Sequence, residues 1–158
     1  MELSWSLSEI YKSFKDEGFI NDILKLDKCI EDIKNFGTTF FERRDSNIKK
    51  IEEYIKKRSK FEELSNKLEI FINLSLSVNT KDKEALKYSD ILEKKLTEVV
   101  ETFAKIEKWI SSLENLSYII NQSSILKEHE FFLFEIVEKG RYILSEKEEN
   151  IISNMKNT

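Results

Sequence analysis

The chain has 158 residues, of which 40% are hydrophobic and 35% charged, with three glycines and no proline. This balance excludes a disordered chain, and the length is that of one domain, residues 1–158. Because the residues that punctuate hairpins and barrels are scarce, we predict an all-α fold, a bundle of about five to seven long antiparallel helices. The formal charge of −4 argues against nucleic acid as the main partner.

The composition also predicts the compartment. Cys29 is the single cysteine, which excludes an intrachain disulfide and is typical of a reducing compartment. The first residues show neither the basic opening nor the apolar run of a secretory signal. The longest nearly apolar stretch, Ile70 to Val78, is far shorter than the roughly 20 residues that span a bilayer. We therefore expect a cytoplasmic protein that has no membrane partner.

The first two predicted elements are helices. A short helical turn runs from Leu7 to about Phe14, with Ser8 as its cap and Trp5 ahead of it as an apolar anchor. A longer helix follows from about Gly18 to Phe36, since apolar residues recur there at steps of three and four. These residues are Ile23, Leu26, Ile30 and Ile33. Gly37 stands where a left-handed residue would end this helix.

The segment from Thr38 to Asn47 either continues the helix after a break or forms the turn of a helical hairpin. Asp45 and Ser46 are both suitable caps for the next helix. That helix is predicted from about Ser46 to Leu76, because two apolar stripes run along it. The stripes are Ile48, Ile51 and Ile55, and then Phe61, Leu64, Leu68 and Phe71.

A polar break from Val78 to Ala85 precedes the next helix, which Asn79 or Thr80 can cap. Beyond it the most regular apolar stripe of the chain predicts one long helix with a narrow seam. The seam consists of Leu92, Leu96, Val99, Phe103, Ile106, Ile110 and Leu113.

The last third of the sequence has a weaker pattern. Asn115 to Ser124 predicts a turn or a helix bend. Ile125 to Leu144 contains apolar residues almost consecutively around Phe131, which predicts a helix buried on several sides, with a strand as the second choice. Ser145, with Glu148 three residues later, forms a capping box that announces a final helix.

No residue is predicted to be catalytic, cofactor-binding or metal-ligating. His129 begins HEFFL and so imitates the zinc motif HExxH, but Leu133 occupies the second histidine position. We expect His129 to be an ordinary structural or surface residue. Cys29 has no histidine partner in a sequence motif and is predicted to be a small buried hydrophobe. Nothing resembles a phosphate-binding glycine loop.

Basic residues are densest between residues 43 and 60. Acidic residues are threaded through this run, and the pairs Glu52–Lys56 and Glu53–Lys57 have the spacing that supports a helix. We therefore favour a solvated helix face over a binding patch. The basic residues are Arg43, Arg44, Lys49, Lys50, Lys56, Lys57, Arg58 and Lys60.

Three stretches together resemble a known family. WSLSEIYKSFKDEGFINDI begins at Trp5, LEIFINLSLSVNTKDKEALKYSDIL begins at Leu68 and contains a break near Asn79, and ILSEKEENIIS begins at Ile143. In this order they resemble the N-terminal region of the oligoendopeptidase F group of zinc metallopeptidases, relatives of thimet oligopeptidase. Asn79 stands where that family usually has aspartate, and Tyr142 where histidine is common.

The resemblance implies an all-helical, non-catalytic region that forms one wall of a deep channel for short, unfolded peptides. The family's zinc site lies in the C-terminal half, so the implied chain is inactive alone, needs no cofactor itself and has the catalytic domain as its partner. Under this hypothesis the chain is a fragment or truncated member. The alternative hypothesis is an independent helical interaction module that uses the Leu92 to Leu113 seam to pair with itself or with a helical partner.

Overall fold

A computed structural model of the chain describes residues 10–142. These residues form α-helices joined by turns and contain no strand, which confirms the all-α class. Six helices have both ends within this range, a number inside the predicted five to seven, and residues 130–142 are helical as well. The six are α1 (Glu17–Phe40), α2 (Asn47–Val78), α3 (Lys83–Thr97), α4 (Val100–Ser111), α5 (Leu116–Asn121) and α6 (Ser124–Glu128).

The chain divides into two compact units. The first contains the residues up to Phe41 together with Ile55–Glu101, and the second contains Glu42–Tyr54 together with the residues from Thr102 onward. Helix α2 contributes its first eight residues to the second unit and the rest to the first. The single domain predicted for residues 1–158 stays a prediction. The two units share helix α2, which contributes residues to each of them.

Aromatic side chains fill the core of the first unit. The Phe19 ring meets the Tyr11 ring edge-on at 5.3 Å between centroids and the Tyr88 ring edge-on at 4.8 Å. Phe71 of α2 packs against Tyr11 at 5.1 Å and against Phe14 at 4.9 Å. Edge-to-face geometry places the positive ring edge against the negative ring face, so these contacts stabilise the unit beyond the area that they bury.

The core of the second unit is mostly aliphatic. Its fully buried side chains come from α2, α4, α5, α6 and residues 130–142, and are Ile51, Tyr54, Ile106, Ile110, Ile120, Leu126 and Leu133. Polar contacts tie this core to the first turns of α2. The Tyr54 hydroxyl donates to Glu107 at 2.9 Å, and the Ser123 hydroxyl donates to Glu52 at 2.5 Å. Ser123 also caps α6 by accepting from the Leu126 amide.

Helix α2 was predicted closely, and its cap is Ser46, whose hydroxyl accepts from the Lys49 amide. The prediction for Leu7 to Phe14 is wrong at its end, since helix stops before Tyr11 and residues 11–16 form a turn. Asp16 organises this turn by accepting from the Lys12 amide at 2.8 Å and then caps α1 by accepting from the Gly18 amide at 2.9 Å. The predictions for Trp5, Leu7, Ser8 and Ser145 concern residues outside the described range.

Gly37 does not end α1, which continues for three more residues. No glycine among the described residues has a positive φ. The extra turn buries Phe40 completely and brings its ring to 5.3 Å from that of Phe36. Burial of a phenylalanine contributes about 1.5–3 kcal/mol, more than the ~1 kcal/mol that a glycine costs inside a helix.

The cap of α3 is Asp82, not Asn79 or Thr80. Its carboxylate accepts from the Glu84 amide at 3.0 Å and from the Ala85 amide at 3.2 Å. Asn79 instead accepts from the Lys81 amide and shapes the turn that follows α2. Because Asp82 follows both predicted caps in the chain, α3 begins later than the sequence pattern predicted.

The one long helix predicted for Leu92 to Leu113 is wrong, because α3 ends at Thr97 and α4 begins at Val100. Thr97 and Val99 are β-branched, and the Thr97 hydroxyl bonds back to the Lys94 carbonyl at 2.7 Å, which favours a break. Val99 lies between the two helices in the chain and is buried, so the break itself contains a buried residue of the predicted seam.

The segment from Asn115 to Ser124 contains the short helix α5 and a turn, as its weak pattern suggested. The described part of the segment from Ile125 is helical on both sides of a turn at His129, which confirms helix over strand for these residues. Burial on several sides is wrong, however, because Phe131 is 78% exposed and Phe134 is exposed as well. Only one face of residues 130–142, with Leu133 and Ile136, is buried.

Gly140 marks a close approach to α4. A Cβ added there would lie 2.8 Å from both Cβ and Oγ of Ser111, a distance that forces a shift. We expect Gly140→Ala to lower the free energy of unfolding by about 1–3 kcal/mol, because the added methyl group would overpack the contact with Ser111. Urea unfolding followed by circular dichroism measures the effect.

Two further variants test the cause. Ser111→Gly should restore most of the stability lost in Gly140→Ala. Gly18→Ala is the matched control, since its Cβ meets only ordinary contacts at 3.4 Å or more, and it should be neutral or stabilising by up to ~1 kcal/mol. Equal losses at both glycines would contradict the close-approach explanation.

Candidate binding groove

A charged network around a buried aspartate positions α1 against α2 in the first unit. Asp22 is 7% exposed, and its carboxylate accepts a hydrogen bond from the Tyr11 hydroxyl and another from the Lys67 ammonium at 3.1 Å. Lys67 also lies 4.9 Å above the Tyr11 ring. Because each member contacts the other two, the network fixes the angle at which the residues before α1 and the two helices meet.

The network shifts the pKa values of its acids. Burial, followed by the hydrogen bond and the charge of Asp22, raises the pKa of Tyr11. Burial by itself would raise the pKa of Asp22, but the bonds from Tyr11 and Lys67 and the lysine charges outweigh it, so the pKa of this carboxyl is lowered. Asp22 is therefore a carboxylate whose charge stabilises the fold.

Further ion pairs extend from α1. Asp32 accepts from the Lys57 ammonium of α2 at 2.6 Å, and Asp27 pairs closely with Lys95 of α3. Such partly exposed pairs contribute modestly, about 0–1 kcal/mol each. Their value here is geometric, since the first pair joins α1 to α2 and the second joins α1 to α3 beside the Asp22 network.

A surface groove of about 580 Å³ lies along these faces. Its lining comes from α1 and α2, entirely within the first unit. The lining residues are Lys25, Lys28, Cys29 and Asp32 with Ile33 of α1, and Lys57 and Lys60 of α2. The α1 residues stand at steps of three and four, so one helix face supplies them all.

The groove is rich in lysine in a chain that is acidic overall. Four lysine side chains line it together with a single acidic side chain, that of Asp32. Asp32 is paired with Lys57, whose ammonium also lies 5.4 Å above the Phe36 ring. Among the described residues, no carboxylate lies within 4 Å of the ammonium of Lys28 or Lys60, and both side chains are exposed. These two lysines can bind an external acceptor.

The apolar residues of the groove are buried. Ile33 is almost fully buried, and Cys29 is 8% exposed, which agrees with its predicted burial as a small hydrophobe. Backbone positions on two long helices thus carry the lysines at fixed spacing. A ligand in the groove would contact the lysine side chains and the small accessible surface of Ile33 and Cys29.

The predicted basic run behaves in two ways. Part of it is a solvated, internally paired surface, as expected: Arg43 binds Glu53 at 2.7 Å and Arg58 binds Glu62 at 2.8 Å. Lys57 and Lys60, however, face the groove. The α1 lysines that complete it were missed, although their spacing around Cys29 in KLDKCIED is visible in the sequence.

His129 and Cys29 are the residues with chemical potential that the sequence singles out, and each is described within its own unit. The His129 ring nitrogen Nδ1 lies 2.9 Å from the Ile125 carbonyl, beside the end of α6, which is a structural role of the kind that we predicted. His129 belongs to the second unit and Cys29 to the first. Within residues 10–142, no group of three or more histidine, cysteine or acidic side chains is arranged to hold a metal ion.

A second, smaller cleft of about 190 Å³ lies between α2 and α3 in the first unit. Its polar lining includes Glu69, Asn73, Ser89 and Glu93, and Leu92 contributes to its apolar side. The cleft is too small for more than a few atoms of ligand, since drug-sized sites measure roughly 300–1,000 Å³.

Comparisons with protein-family models, with curated proteins and with solved structures find no significant match for this chain. In the part of the chain that the structure describes, no helix combines the length and the apolar character needed to cross a membrane.

The Asp22 network makes stability depend on pH in a defined direction. Because the folded-state pKa of Asp22 is lowered, its contribution is complete above the unfolded value near ~3.9 and is lost as the pH falls through the folded pKa. We expect Asp22→Asn to lower the free energy of unfolding at neutral pH by about 1–3 kcal/mol. The difference from the unchanged chain should shrink below roughly pH 4.

Urea unfolding at a series of pH values measures this difference. Glu31→Gln is the matched control, since Glu31 is exposed on the same helix and should change neither the stability nor its pH dependence. A loss in Asp22→Asn that is the same at every pH would show that the charge of Asp22 is not what stabilises the fold.

Proposed function

We propose that this chain is a non-catalytic helical region of a zinc oligopeptidase similar to the oligoendopeptidase F group, forming part of a channel wall for short peptides. The observation that carries the proposal is the position of the break between α2 and α3. The resembling segment that begins at Leu68 requires a helix, a short polar break and a second helix, and α2 ends at Val78 while α3 begins at Lys83.

Two other features support the proposal. The first segment implies a short helix followed by a longer helix, and α1 stands at the position of the longer one. Long helices joined by short turns provide a stiff wall, because most of their backbone hydrogen bonds are made within the same helix. The catalytic zinc belongs to the C-terminal half of such enzymes, so the proposed partner of this region is the catalytic domain.

The first test is enzymatic. Purified chain, supplied with zinc and a quenched fluorescent peptide, should give no turnover that a chelator abolishes, because HExxH is missing from the sequence. An oligoendopeptidase of the resembling group, assayed in parallel, is the positive control. Robust chelator-sensitive cleavage by the chain itself would contradict the assignment to a non-catalytic region.

The second test is genetic. Sequencing the coding DNA beyond the codon of Thr158 should reveal a segment, in frame or displaced by a frameshift, that encodes HExxH and a downstream glutamate. Unrelated sequence in all frames would argue strongly against the peptidase proposal. This result does not depend on whether the isolated chain folds.

The second proposed function is an independent helical interaction module. The Leu92 to Leu113 seam does not favour it, because Leu92, Val99, Ile106 and Ile110 are all buried within the chain. The observation that favours it is a different face, on residues 130–142, where three aromatic side chains are exposed on the side opposite to the buried one. They are Phe131, Phe134 and Tyr142.

Self-association tests this second proposal. Under it, sedimentation velocity should detect a dimer whose dissociation constant rises at least about tenfold in Phe131→Ser, since a buried phenylalanine contributes ~1.5–3 kcal/mol. Lys139→Gln, an exposed change on the same helical segment but to one side of the aromatic face, is the control. A chain that stays monomeric at all accessible concentrations would remove the reason for pairing with itself.

A further inference from the structure

We infer that the lysine-lined groove between α1 and α2 binds a small multivalent anion, one that presents clustered carboxylate or phosphate groups. The inference stands on the geometry of the groove and holds whether or not the chain belongs to a peptidase. Four lysines that converge on one concave surface, in a chain with more acidic than basic residues, are the feature to be explained.

The charge balance selects the class of ligand. Only Lys57 has its charge compensated inside the groove, by Asp32 at 2.6 Å, while Lys25 reaches Asp22 at the long distance of 3.8 Å. Lys28 and Lys60 have no acidic partner within ion-pair distance in the described part of the chain. A single negative charge would leave most of the positive potential uncompensated, so a ligand with several negative charges fits better.

The size of the groove selects the dimensions of the ligand. At about 580 Å³ it lies within the range of small-molecule sites, so it accommodates a tripolyphosphate or a few acidic residues but not a folded domain. Lysine ammonium groups are point charges on flexible stems and bind phosphate and carboxylate oxygens without demanding a planar geometry. Ile33 and Cys29 form an apolar floor against which the stem of an acidic side chain can pack.

Calorimetry of the full chain tests the inference with two probes, tripolyphosphate and a tetraglutamate peptide, and with tetraglutamine as the neutral control. At least one anion should bind saturably, and Lys28→Glu/Lys60→Glu should weaken it at least about tenfold, because charge-assisted bonds are lost and repulsion is added. Affinity should also fall as ionic strength rises from about 0.01 M to about 0.15 M.

The matched control is Lys83→Glu/Lys94→Glu, which changes the net charge equally at exposed positions of the same unit outside the groove. It should retain the affinity of the unchanged chain to within about twofold, as distant exposed charges are screened. If the groove variant does not fold, Lys28→Gln/Lys60→Gln removes the same charges without reversing them, and circular dichroism reports folding for every variant.

Cys29 supplies a second readout, since it is the only thiol of the chain and lines the groove. The rate of its reaction with the uncharged reagent dithiodipyridine should fall several-fold when the anion is bound. Binding of tripolyphosphate alone identifies phosphate as the ligand group, and binding of tetraglutamate alone identifies carboxylate. The inference is overturned if neither anion saturates, if tetraglutamine binds equally well, or if both double variants lose affinity to the same extent.

Discussion

The buried carboxylate of Asp22 is the constraint on which the first unit depends. A charge with so little exposure is tolerable only when it is hydrogen-bonded and paired, and Tyr11 and Lys67 supply its hydrogen bonds. The loss of Tyr11 would remove a donor from the buried carboxylate, and the loss of Lys67 would leave it only the longer contact with Lys25. The turn before α1, the helix α1 and the helix α2 are therefore held in one arrangement, and the groove further along the same face of α1 inherits its shape from that arrangement.

The amphipathic pattern predicts where helices form better than where they stop. Helix α2 was placed within two residues at each end, because its stripes are long and Ser46 is an evident cap. At Gly37 the sequence suggests a stop, but burial of Phe40 outweighs the cost of the glycine. At Thr97 to Val99 the apolar spacing suggests continuity, but the β-branched residues and the bond from Thr97 to the Lys94 carbonyl favour a break. In both cases the outcome rests on a feature that apolar spacing alone does not show, the tertiary burial of Phe40 and the local hydrogen bond of Thr97.

The groove shows the same limit for function. The basic run from Arg43 to Lys60 was predicted to be a solvated face, and the pairing of Arg43 and Arg58 agrees with that interpretation. Lys57 and Lys60 become part of a candidate binding groove only because two lysines of α1 line the same groove. Helical spacing could have grouped Lys25, Lys28 and Asp32 on one face of α1. The pairing of that face with α2 depends on the Asp22 network, whose members lie far apart in sequence and carry no motif.

The arrangement of these lysines couples binding to stability. Like charges that line one groove repel each other, and only one of the four is compensated by a carboxylate of the groove itself. The folded unit stays stable despite this repulsion, because the aromatic core and the Asp22 network also hold α1 against α2. An anion that binds the folded groove, and not the unfolded chain, must raise the stability of the unit by mass action. The charges that cost the unliganded fold some stability are thus the same charges that would make a ligand stabilise it, so occupancy of the groove and resistance to unfolding should rise together.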